Sequence, residues 1–145
     1  MPQSRLYESD FYAWANEQAA LLREGKLSQA DIEHIAEEIE SMGKGEKREL
    51  VSRLAVLLLH LLKWKFQPAL RGNSWRLTIE EQRDEIEDHL GDNPSLKANL
   101  SETIKSAYRR AILGAARETG MERDVFPAVC PWSFEQMMDA EFWPD

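Results

Sequence analysis

Cysteine is almost missing from this chain. Cys130 is the only one in 145 residues, so no internal disulfide framework can form and a reducing compartment is expected. Long apolar runs are missing as well. The longest, Leu54–Leu62, is broken by His60 and reaches about half of the ~20 residues a spanning helix needs. The opening Met1-Pro2-Gln3-Ser4-Arg5 leads into charge and aromatics rather than an apolar signal core. A cytoplasmic protein with no membrane partner is the expectation. No stretch alternates apolar and polar residues with period two, and no internal repeat is visible, which argues against strands and repeat architectures. There is no phosphate-cradling loop, because Gly43-Lys44-Gly45 lies between helical segments and follows no strand. Positive charge is in deficit: 18 Lys/Arg against 26 Asp/Glu leave a net charge of −8 and disfavour nucleic acid as a partner.

What the chain does have is 43% hydrophobic and 30% charged residues, enough to build a core without staples, and it reads as one helical domain over residues 1–145. Phe11, Trp14, Ala15, Gln18, Leu21 and Leu22 recur at helical spacing behind Ser9-Asp10 and end at Gly25. Ser28 with Asp31 resembles a capping box for a second helix with inner face Ile32, Ile35, Ala36 and Ile39, stopped by Gly43. A third helix runs from about Glu46 to Gln67, where Pro68 forbids continuation. Its stretch Leu54–Leu59 has no polar side, which predicts a central, covered helix. Ser74 caps a fourth with inner face Trp75, Ile79, Gln82, Ile86 and Leu90. Asn93-Pro94 opens a fifth that closes at Thr119-Gly120, and Ser133 with Gln136 starts a short sixth. The fold class is therefore all-α: a compact bundle of about five longer helices plus a short C-terminal helix, with Phe134–Trp143 packed across the third.

Certain residues resemble a known pattern. His60-Leu61-Leu62-Lys63-Trp64, Gln67-Pro68, Arg71, Ser74-Trp75, Thr78-Ile79 and Gln82-Arg83 are similar to the signature of the bacterial family called domain of unknown function 29. Tyr7–Trp14, Pro94-Ser95-Leu96, Ala107-Tyr108, Glu118-Thr119-Gly120, Phe126-Pro127, Cys130-Pro131-Trp132 and Phe142-Trp143-Pro144 extend the resemblance over nearly the whole chain. It implies a small, all-helical, mostly cytoplasmic bacterial domain, and brings no catalytic residue with it.

Charge is unevenly spread. Residues 44–83 carry nine Lys/Arg against four Glu, a local +5 in an acidic chain. Around the helix break, guanidinium groups beside aromatic faces suit a carboxylate or phosphate, and first-turn amides of the next helix would face the same place. The alternative is structural: Arg and Gln there satisfy orphan carbonyls of the broken helix, and the tryptophans fill the bundle end. Arg71, Trp75, Arg76 and Arg83 are the expected anion- or partner-binding residues, for an anionic small molecule or an acidic protein segment. The expected function is a non-enzymatic binding or interaction module without cofactor or metal, and self-association is compatible with it. The alternative is a metal-dependent hydrolase with His60, Glu85 and His89 as ligands, since two imidazoles and a carboxylate can hold Zn²⁺ or Fe²⁺. The row Asp31, His34, Glu38 points away from the predicted inner face and reads as solvated. Cys130, between Val129 and Pro131, reads as packing rather than a nucleophile.

Overall fold

The structure, a computed structural model, describes residues 6–145. The reading of Met1–Arg5 lies outside them. Six α-helices follow one another among the described residues: α1 Leu6–Ser9, α2 Phe11–Arg23, α3 Ile32–Phe66, α4 Asn73–Asp92, α5 Leu100–Thr119 and α6 Phe134–Met138. Short 3-10 turns at Pro68–Leu70, Pro94–Asn99 and Arg123–Val125 link the later ones, and no strand occurs among the described residues. The all-α class expected from the periodicity holds. No described helix is long and apolar enough to cross a membrane.

The helices differ from expectation at two places, of which α1, outside every expected segment, is one. The second and third predicted helices are one 35-residue helix, α3, that runs through Gly43 and Gly45. Neither glycine adopts positive φ, so neither makes a left-handed stop. Each weakens the helix by about 1 kcal/mol against alanine, but the good helix formers on either side carry it through. Gly25 and Gly120, by contrast, have φ of 72° and 75° and do lie just beyond helices. The start of α3 also differs: the Asp31 carboxylate, not Ser28, accepts the amide of His34 at 3.3 Å and caps the first turn. At α6 the predicted capping box is present, with Ser133 and Gln136 exchanging hydrogen bonds at 3.0 and 3.1 Å.

The chain divides into two compact units, with the boundary between Gly45 and Glu46, inside α3. The second unit holds the apolar core. Leu50, Leu54, Leu57, Leu58, Leu61 and Leu62 of α3 are fully buried, with Ile79 and Ile86 of α4, Ala107, Ala111 and Ala115 of α5, and Met137 of α6. The polar-free stretch of α3 is thus covered on several sides, as its composition demands. The first unit has a different interior. Among its described residues the buried ones are Trp14, Gln18 and Asp31, so only one of the three is apolar.

Candidate functional site

The helix break was the expected anion site, and the structure gives its cations other partners. Pro68 ends α3 and Arg71 folds back on it, donating from Nε to the Trp64 carbonyl at 2.6 Å and from Nη2 to the Pro144 carbonyl at 3.2 Å. Its guanidinium lies 5.3 Å from the Trp64 ring centre. Arg83, only 5% exposed on α4, donates to the carbonyls of Met137 at 2.7 Å and Phe142 at 2.8 Å and lies against Trp143. Burial works against its charge, and the nearby Asp139 and Glu80 work in favour of it. Lys63 pairs with Glu118 at 2.7 Å and covers the Trp75 ring. Arg76 is tied along its own helix to Glu80 and Asn73. Arg71 and Arg83 close on the backbone of residues 137–144 and hold that segment against α3 and α4. Orphan carbonyls of a short, irregular segment need such donors when buried. Arg71 and Arg83 thus act as clamps, the alternative reading of the break, while Trp75 is a platform for Lys63 and Arg76 pairs along its own helix.

The metal set His60, Glu85 and His89 does not converge. His60 donates its Nδ1–H to the Val56 carbonyl at 2.8 Å, and burial pushes its pKa down. Glu85 faces Arg53 at 3.6 Å. His89 lies away from His60, against the turn in the middle of α3 that holds Glu46 and Glu49. Eleven residues separate Glu49 from His60, about 16 Å along a helix. Carboxylates flank His89: its Nε2 is 3.6 Å from Glu46 Oε2 and its Nδ1 is 3.4 Å from Glu49 Oε2.

Cys130 behaves as packing. Burial raises its thiol pKa, opposite to what a nucleophile needs, and its Sγ points to the Trp132 carbonyl at 3.4 Å. Tyr108, pushed up to about 12 by burial, donates to the Pro127 carbonyl at 2.6 Å and anchors the loop before it.

The first unit reverses the expected orientation of its helix. Asp31, His34 and Glu38, read as solvated, face α1 and α2. Tyr7 stacks on His34 with ring centres 3.9 Å apart and donates to Glu38 at 2.5 Å. That hydrogen bond, with the carboxylates nearby, pushes the Tyr7 hydroxyl to about 12. Asp31 receives the Trp14 indole N–H at 3.2 Å and holds His34 Nδ1 at 2.7 Å, while its amide donates to Gln18 Oε1 at 2.7 Å. Burial resists ionisation of Asp31, but the bonds from His34 and Trp14 outweigh it and its pKa falls; the Asp31 bond raises that of His34. The residues assigned to the inner face stand outside instead. Ile32 is 53%, Ile39 61% and Met42 66% exposed, and Ile35 is half-buried. Seven of the twelve exposed large apolar side chains among the described residues belong to this unit.

A family model described as Domain of unknown function DUF29 matches residues 6–143. The chain belongs to that family. No curated protein and no solved structure matches the chain. In this DUF29 domain the residues that carried the resemblance are thus largely the architecture of the second unit, namely Lys63–Glu118, Arg71, Arg83, Tyr108–Pro127 and the Trp64–Trp143 contact at 4.7 Å. Sequence reasoning missed the open face of α3. The spacing 32, 35, 39, 42 was visible, but apolar residues at helical spacing signal an inner face by default. The signal that could have found it was the short, polar Asp31-x-x-His34-x-x-x-Glu38 row beside the aromatic pair Tyr7 and Trp14.

Proposed function

We propose that this chain is a non-enzymatic interaction module, and that its first unit receives a basic amphipathic helix of a partner protein on the open face of α3. The carrying observation is the exposure of Ile32, Ile39 and Met42 on a helix whose polar side is turned inward. With Ile35 they occupy positions 32, 35, 39 and 42, the alternating three-four spacing by which one helix packs along another. The surroundings select the partner's charge. Residues 6–45 hold nine Asp/Glu against three Lys/Arg, and Glu33 and Glu40 flank the apolar row on the same helix. A second copy would set two acidic surfaces against each other, whereas Lys and Arg beside an apolar stripe complement this one. The binding surface is thereby moved from the helix break, whose guanidiniums are engaged, to the first unit. A bacterial, cytoplasmic setting belongs to the same proposal and rests on the lone cysteine and on the family resemblance.

The test is an amide-shift titration of the whole chain with a helical peptide of alternating Leu and Lys faces, run beside a light-scattering mass. The expected result is a monomer whose shifts centre on residues 32–42 and weaken with added salt. Shifts centred on residues 71–83 would return the site to the helix break. A stable dimer that hides residues 32–42 without peptide would make the occupant a second copy.

A further inference from the structure

We propose that Glu46, Glu49 and His89 form a binding site for a divalent transition-metal cation of the zinc or manganese kind. The inference concerns the second unit alone and does not rest on the interaction surface of the first. One ligand atom from each of the three side chains lies within 4.8 Å of the others. Glu46 and Glu49, three apart on α3, share a helix face, and His89 reaches them from the last turn of α4. Two carboxylates and an imidazole form a mixed oxygen and nitrogen set that suits Zn²⁺ and Mn²⁺.

Two independent features of His89 point to a cation. Its side chain is only 7% exposed, and its Nε2–H donates to the Glu46 carbonyl at 2.8 Å. A backbone carbonyl holding one ring nitrogen is the usual support of a metal-bound histidine, because it fixes the tautomer that presents the other nitrogen. The other nitrogen, Nδ1, faces Glu49 Oε2 at 3.4 Å in a protected place. An ion held between them lies within reach of Glu46 as well. The carboxylates are about half exposed, 50% and 45%, which leaves an entry path and room for water in the remaining positions. Arg53 competes for the site: its Nε holds the same Glu49 oxygen at 3.0 Å while its Nη2 lies 3.6 Å from Glu85.

That competition yields a test which a purely structural role would not pass. Chelator-treated whole chain is titrated with Zn²⁺ by calorimetry, and Mn²⁺ broadening of amide signals locates the ion. The expected result is one ion per chain, with broadening centred on residues 46–50 and 86–90. Glu49→Gln and Glu46→Gln, at half-exposed positions where folding is retained, should each weaken Zn²⁺ by at least ~10-fold. Arg53→Gln, which frees Glu49, should tighten binding. No saturable binding, or binding indifferent to both Gln variants, would overturn the site. So would a His89 ring whose signals do not respond to Zn²⁺.

Discussion

Helix α3 has two lengths built from similar apolar residues and treated in opposite ways. From Leu50 to Leu62 the leucines are covered by α4, α5 and α6; from Ile32 to Met42, two isoleucines and the methionine stand in solvent. Hydrophobicity alone therefore does not decide burial. What decides is which elements are at hand and which side they can satisfy. The second unit supplies two 20-residue helices and a clamped C-terminal segment. The first supplies a four-residue turn of helix and the 13-residue α2, whose Trp14 indole and Gln18 amide need polar partners. Asp31, with His34 bonded to it, provides them, and an unpaired buried indole or amide would cost more than an exposed isoleucine.

The sharpest contrast is expected from truncation. Leu57→Ala and Leu61→Ala, at fully buried positions, should each cost roughly 2–5 kcal/mol by chemical denaturation. Ile39→Ala should cost under about 0.5 kcal/mol, the range for a surface site. A loss of about 2 kcal/mol at Ile39 would mean that its face is covered within the chain. Next in size is the clamp. Arg83→Met removes the donors to Met137 and Phe142 and should destabilise the second unit by about 3 kcal/mol, mostly by leaving carbonyls unpaired. An effect near zero would show those bonds to be replaceable by water.

Most of the second unit was legible in the sequence. The polar-free Leu54–Leu59, the stop at Pro68 and the box at Ser133 each specify one structure, and each is found. The site was less legible. Arg71 and Arg83 fit both an anion site and a carbonyl clamp, because a sequence does not display which carbonyls an irregular segment leaves without partners. His60, Glu85 and His89 were grouped by ligand type, yet His89 meets Glu46 and Glu49 instead, through a helix pairing that one-dimensional spacing does not report. Gly43 read as a stop because glycine often ends helices, but here the residues after it remain helical and no positive φ is needed.

Smaller effects refine the comparison at the boundary between the two lengths. A Cβ at Gly43 or Gly45 meets no atom within 4 Å, and both are helical. Gly43→Ala and Gly45→Ala should each raise stability by about 0.5–1 kcal/mol, seen as slower amide exchange around residues 40–48. Destabilisation would show that the helix is interrupted there. The polar interior of the first unit adds a pH signature. His34 is raised from its ordinary 6.5, so its contribution is complete below 6.5 and is lost as pH climbs through the raised value. Asp31 is lowered from 3.8, so its contribution is complete above 3.8 and is lost as pH falls through the lowered value. The pair supports the first unit best between those limits. The His34 ring should titrate above 6.5 by NMR, and Asp31→Asn should return it toward 6.5.

The most direct measurement pairs stability with binding in one variant, Ile39→Ser with Met42→Ser. If this face of α3 is open and serves as the docking surface, the variant unfolds at the wild-type midpoint within about 0.5 kcal/mol and no longer binds the Leu/Lys peptide. A variant that binds as tightly as the wild type, or that loses its fold along with its binding, would contradict the account.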